Sequence, residues 1–177
     1  QDVSELKATD IRKAIGVVQQ EILLFDDTVR YNLLLGNQQC SDEILEDVCR
    51  RVGLEEWLSS LPLGLDTVLG NGAQGLSGGQ KQRLMIARIL LRNADTIVFD
   101  EATSALDIET ERIVMEEFIN QNRDMTLIVI SHRAETVKMC DRVIVLKDGY
   151  VEAVGKHEKL LGESESYYKL FGEQKIS

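Results

Sequence analysis

Two short stretches hold residue types suited to phosphate chemistry. The first is Ser77-Gly78-Gly79-Gln80, with Lys81 and Arg83 just after it. Serine followed three residues later by glutamine, ahead of a helical pattern, is a capping-box arrangement. The two glycines let the backbone come close to a ligand. First-turn N–H groups and the positive end of the helix dipole then form an anion site. The second stretch is Asp100-Glu101, directly after the apolar run Thr96-Ile97-Val98-Phe99. A hard carboxylate ligand suits Mg²⁺, and a neighbouring carboxylate can orient or deprotonate water. Either stretch alone could be purely structural, as a capped helix or as a core strand with two acidic residues after it.

The elements that must position these residues are legible around them. Leu84, Ile86, Ala87, Leu90 and Leu91 recur at helical spacings, and Asn93-Ala94-Asp95 ends that helix. The apolar run 96–99 is a strand that delivers Asp100 and Glu101 to its carboxyl end, where open α/β sheets hold ligands. Asp107 is a suitable N-cap, with Glu109 and Glu111 in the following turn. Val114 with Phe118, and Met115 with Ile119, pair at i,i+4. Thr126–Ile130 reads as the next buried strand, ending at Ser131-His132-Arg133. Upstream, Ile15-Gly16-Val17-Val18 is a strand ending at Gln19-Gln20-Glu21.

Between these strands the pattern is helical. Residues 28–35 and 41–52 are expected helices. In the second, Ile44, Leu45, Val48 and Val52 share a face, Ser41 is the cap and Gly53 follows the end. A short helical turn carries Trp57, and Gly70, Gly72 and Gly75 loosen the approach to Ser77. Near the carboxyl terminus, 142–146 and 150–154 flank Lys147-Asp148-Gly149, a hairpin turn pattern. The expected fold is α/β, with a mainly parallel core from strands near 15–18, 96–99, 126–130 and 143–146. A helical subdomain is expected at 28–92, inserted into a core formed by 1–27 and 93–177.

Composition narrows the function classes. A net charge of −10, from 30 acidic and 20 basic residues, argues against a partner recognised through its phosphate backbone, so no nucleic acid is expected. Cys40, Cys49 and Cys140 form no Cys/His cluster, which points to reduced thiols rather than a disulfide framework. No apolar run approaches the about 18 residues that span a bilayer. The first residues are not a signal peptide and include no initiator Met, so the chain reads as cut from something longer.

The stretch from Leu76 to Asp107 resembles the ABC-type ATPases. Leu76-Ser77-Gly78-Gly79-Gln80 resembles their signature motif, Ile97 to Glu101 the Walker B strand, and Ser104-Ala105-Leu106-Asp107 the D-loop. Gln20, after a strand and before Leu-Leu-Phe, matches the Q-loop glutamine, and His132 matches the H-loop histidine. Ile22 stands where the family commonly has proline, and Asn71 where it usually has glutamate. The segment before Ser77 resembles the loop that touches the coupling helices of exporters. Similarity extends over essentially the whole chain, to 155–161 and 168–171.

The resemblance implies a P-loop NTPase-like fold and an exporter's ATP-hydrolysing domain at the cytoplasmic face of the cell membrane. It implies ATP and Mg²⁺ as cofactors, and a second nucleotide-binding domain and a transmembrane domain as partners. Asp100 would hold Mg²⁺, Glu101 would activate the water, and His132 would contact the γ-phosphate and that water. Gln20 would reach Mg²⁺ or the water. Ser77, Gly78, Gly79 and Gln80 would face nucleotide held by the other subunit of a head-to-tail dimer, and Asp107 would cross the interface.

One expected motif is missing. A P-loop, GxxxxGK[ST], does not occur. The one Gly-Lys pair, Gly155-Lys156, is followed by His157 and has Tyr150 where the first glycine belongs. The chain therefore reads as the C-terminal part of a nucleotide-binding domain, with hydrolysis residues but without the main phosphate grip. Two other readings stay open. One is a catalytically silent interaction module. The other is a non-transport ABC ATPase, disfavoured by the acidic balance and by the lack of a coiled coil between Gln20 and Leu76.

Overall fold

A computed structural model describes residues 2–19, 23–70, 75–92, 94–103, 106–121 and 125–172. The chain forms two compact units, Gln1–Ile130 and Ser131–Ser177, a boundary the sequence reading had not drawn. The first unit holds a parallel three-stranded sheet in the order β1 (Ile15–Val18), β2 (Thr96–Asp100), β3 (Thr126–Ile130). Val18 lies opposite Phe99, and Asp100 opposite Ile130, so neighbouring strands finish nearly level. The α/β expectation with parallel strands therefore holds.

β2 is the middle strand, and its burial alternates. Ile97 and Phe99 are buried, whereas Val98 is half-buried. Phe99 meets Phe118 edge-on at 4.9 Å between ring centroids. Phe118 belongs to the crossover helix α6 (Ile108–Gln121), whose Val114 and Met115 are buried with it. Ile119, expected to share that packing, is exposed. β3 departs from the expectation of a buried strand. Ile128 and Ile130 are 48% and 51% exposed, on the sheet face where the register also places Val17, 44% exposed, while Leu127 and Val129 on the other face are half-buried.

Every regular element described between β1 and β2 is helical. α1 (Ala8–Ala14) precedes β1 and buries nothing. After β1 come α2 (Val29–Leu34), α3 (Asp42–Arg51), α4 (Glu55–Ser60), a 3-10 turn at Gly64–Asp66, and α5 (Gly78–Leu90). Thr28 caps α2 by accepting the Tyr31 N–H at 2.9 Å. Ser41 occupies the N-cap position of α3 without a side-chain cap bond. The buried stripe of α3 is Leu45, Val48 and Cys49, continued by Val52, with Ile44 49% exposed. Ile44 lies one residue ahead of that stripe, and the small thiol of Cys49 fills the inner position. Gly53 ends α3 at φ +69°, its N–H bonding Arg50 O at 3.0 Å while Leu54 N–H bonds Cys49 O at 2.8 Å. That pairing terminates a helix with a left-handed residue.

The second unit contains α7 (Ala134–Lys138), the strands β4 (Val143–Lys147) and β5 (Tyr150–Gly155), α8 (His157–Glu163) and α9 (Glu165–Phe171). The sequence pattern places residues 143–146 with the parallel core. Instead β4 pairs antiparallel with β5. The Asp148-Gly149 loop explains this, since both residues adopt positive φ (+50° and +81°) as a two-residue hairpin requires. This unit has its own core of Val137, Val145, Leu160, Tyr167 and Phe171. Within it, His157 Nδ1 and the Tyr167 hydroxyl are 2.8 Å apart.

Candidate functional site

The start of α5 is built as the sequence suggested. Ser77 is extended (φ −65°, ψ 158°), and its Oγ accepts the Gln80 N–H at 3.1 Å. In return Gln80 Oε1 accepts the Ser77 N–H at 2.8 Å. The capping box thus occupies the Gln80 side chain and fixes the entry angle. Left for a ligand are the hydroxyl proton of exposed Ser77 and the first-turn amides of Gly78 and Gly79, which have no acceptor within a helix. These donors converge at the positive end of a 13-residue helix.

Asp100 closes β2 with its side chain exposed. Glu101 follows, half-buried, and its backbone is unusual: φ is +49°, in the left-handed region. Its N–H donates to Ile130 O at 3.1 Å, so the chain turns while still bonded to β3. Non-glycine residues held in this region carry strain that the surroundings must overcome. Ala102 and Thr103, which follow it, are both buried. The Thr103 hydroxyl donates to Glu111 Oε1 at 2.6 Å, and Glu111 on α6 is itself buried. Neither Thr103 nor Glu111 had been singled out for this role. A glutamate one turn into a helix, facing a threonine before its cap, is a weak local pattern.

Asp107 caps α6. Oδ1 accepts the Thr110 N–H at 2.9 Å and Oδ2 the Thr110 hydroxyl at 2.7 Å. These bonds, the backbone one foremost, hold its carboxyl below the usual range, with a smaller contribution from the Arg83 guanidinium on α5. Both carboxylate oxygens are thus engaged at home. His132 is exposed in the second unit, two residues beyond β3 in the chain. Gln20, Ile22, Asn71, Ser104 and Ala105 lie outside the described residues.

Beneath α2, a polar pair went unrecognised in the sequence. Asn32 is fully buried, and Arg88 on α5 is 9% exposed. Arg88 Nε donates to Asn32 O at 2.8 Å, Nη2 to Asn32 Oδ1 at 2.9 Å, and Nη1 to Leu23 O at 3.1 Å. All three acceptors are neutral, and burial pulls the guanidinium below its ordinary range. The available signal was an arginine inside an apolar stripe, between Ala87 and Ile89.

A cavity of about 510 Å³ opens between α3, α4 and the 64–66 turn, lined by Glu43, Glu46, Asp47 and Glu55 among others. Its acidic wall would repel a phosphate, and it includes none of the residues above. Among the described residues, no group of three or more His, Cys, Asp or Glu could hold a metal ion alone. A magnesium ion sharing Asp100 with water and phosphate oxygens fits that donor set. Also among the described residues, no helix is long and apolar enough to cross a membrane.

The chain is 40% identical over 179 residues to the ATP-dependent lipid A-core flippase of Syntrophus aciditrophicus, covering 99% of this chain and 30% of that protein. It is 39% identical over 175 residues to P-glycoprotein 14 of Caenorhabditis elegans, covering 99% of this chain and 13% of that protein. The chain thus spans less than a third of these relatives. A solved structure of a bacterial Atm1-family ABC exporter with ATP bound superposes with a TM-score of 0.93 at 34% identity, over 100% of this chain and 31% of the exporter chain. The ABC transporter family model matches residues 1–104, more than half of the sequence, and the chain belongs to that family.

Proposed function

We propose that these residues are part of a nucleotide-binding domain that hydrolyses ATP to drive export, working at the cytoplasmic face of a membrane. The observation that carries this reading is Asp100-Glu101 at the carboxyl end of the central strand, with Glu101 in a left-handed conformation bonded to Ile130 O. Likeness to an exporter with ATP bound supports it. The helical region 28–92 would then present α5, while 1–27 and 93–177 belong to the catalytic core.

The chemistry follows from charge and reach. Water attacks the γ-phosphorus as the bridging P–O bond breaks, releasing ADP and phosphate. Glu101 accepts the proton of that water. Asp100 would hold Mg²⁺, which when bound neutralises phosphate charge. His132 would donate to the γ-phosphate, and Gln20 would orient the water or the ion. Ser77, Gly78 and Gly79 would supply the anion site to nucleotide on a second nucleotide-binding domain, with Gln80 holding Ser77 in place. Asp107, committed to capping α6, would line the interface through that turn. A transmembrane domain is the other partner.

A second reading has a specific basis: the sequence contains no GxxxxGK[ST]. Alone, the chain would then act as a silent interaction module. Calorimetric titration of the 177-residue chain with Mg-ATP is expected to give no tight binding, because the cradle of backbone amides and lysine is lacking. The complete protein is expected to hydrolyse ATP. Failure of the complete protein to do so overturns the enzymatic reading.

A further inference from the structure

The Arg88–Asn32 pair ties together three segments whose ends face different things. Asn32 is saturated: Nδ2 donates to Phe25 O and Thr28 O, each at 3.0 Å, and Oδ1 accepts both the Phe25 N–H at 2.9 Å and Arg88 Nη2. Arg88 adds Leu23 O and Asn32 O. One buried side-chain pair therefore fastens the segment 23–25 and α2 to α5. A close backbone approach reinforces the joint. A Cβ on Gly36, just past α2, would lie 2.1 Å from Arg88 O, so only glycine fits. On the outer side, Leu23, Phe25, Tyr31 and Leu35 are exposed, with Phe25 and Tyr31 edge-on at 6.2 Å. At the far end of α5, about 16 Å from Arg88 by helical rise, stands the Ser77 anion site.

We infer that Arg88 is a positioning residue that makes the apolar patch and the amino end of α5 move as one body, so that nucleotide engagement at Ser77 is felt at residues 23–35. The inference rests on the nucleotide-facing reading of Ser77. Its physical basis is that a buried guanidinium spread over three neutral acceptors cannot slide without leaving polar groups unsatisfied. Lysine keeps the charge but has no planar fork, and cannot span the same acceptors.

Hydrogen exchange on the complete protein, with and without a non-hydrolysable ATP analogue, tests it in the parent, Arg88→Lys and Arg88→Met. In the parent, the analogue is expected to slow exchange in peptides covering both 75–84 and 23–35. In the variants the response at 75–84 should persist and that at 23–35 should be lost. Arg88→Lys decides the matter if Arg88→Met fails to fold. Slowing at 23–35 in Arg88→Lys equal to the parent overturns the inference. Loss at both segments also overturns it, since Arg88 would then build the anion site itself. No slowing at 75–84 in the parent instead removes the nucleotide-facing reading, and this inference with it.

Discussion

Glu101 and Asp148 share almost the same backbone angle, φ +49° and +50°. The causes differ. Asp148 sits in a two-residue hairpin loop before Gly149, where β4 and β5 pair immediately on either side. Local geometry demands the left-handed turn there, and aspartate is among the residues that tolerate it. Glu101 has no such local reason. It follows a parallel strand, is succeeded by Ala102 rather than glycine, and is bonded to Ile130, 29 residues later in the chain. The residues that follow it, Ala102 and Thr103, are buried, and strained backbone of this kind clusters at functional sites. The same angle is thus ordinary turn chemistry in one place, while in the other it falls at the residue proposed to act on water.

The sharpest way to break this comparison is Glu101→Gln in the complete protein. Side-chain size and φ are kept and the base is lost. Single-turnover hydrolysis is expected to fall by ~10²-fold or more while Mg-ATP affinity survives. Asp100→Asn should instead weaken Mg²⁺-dependent binding as well as turnover. Hydrolysis by Glu101→Gln at the parent rate would remove Glu101 from the chemistry.

Next in size is the support under the turn. Thr103→Val removes the hydroxyl that bonds buried Glu111 and should cost about 1–3 kcal/mol in urea unfolding. A cost within error of zero would mean that this bond does not hold the turn.

Replacing each left-handed residue by glycine sharpens the contrast directly. Glu101→Gly relieves a left-handed penalty of about 1–2 kcal/mol against an entropic cost of about 0.5–1 kcal/mol. A net gain of up to about 1.5 kcal/mol in stability is expected, together with loss of hydrolysis. Asp148→Gly should change stability by about 0.5 kcal/mol or less and leave hydrolysis intact. Equal shifts for both would erase the distinction between them.

The smallest effect concerns Asp107→Ala, which uncaps α6. The Asp107 carboxyl is depressed in the fold, so its contribution is full above the ordinary aspartate range near about 4 and is lost as pH falls through the depressed value. Thermal melts should show the variant below the parent at neutral pH, with the gap closing on acidification. A gap that widened in acid would contradict the assigned cap.

The sequence alone determined the features that depend on neighbours within one turn. The capping box at Ser77 and Gln80 joins residues three apart, and the Asp148-Gly149 hairpin is specified by its own loop, so both were legible. The two carboxylates at the end of β2 were equally plain, because an apolar run must finish somewhere and Asp100 marks the place. Tertiary structure alone decided the rest. Arg88 and Asn32 are 56 residues apart, and burial of a cation against neutral oxygens has no periodic signal. Cys49 rather than Ile44 joins the core because the exact phase of a helix is set by what it packs against. One face of β3 is exposed because what covers a sheet face is set by tertiary packing, and β4 lies outside the parallel sheet because strand neighbours are chosen in space, not along the chain. The left-handed turn at Glu101 belongs with these, since it occurs at a non-glycine residue bonded to another strand, and no local pattern marks it.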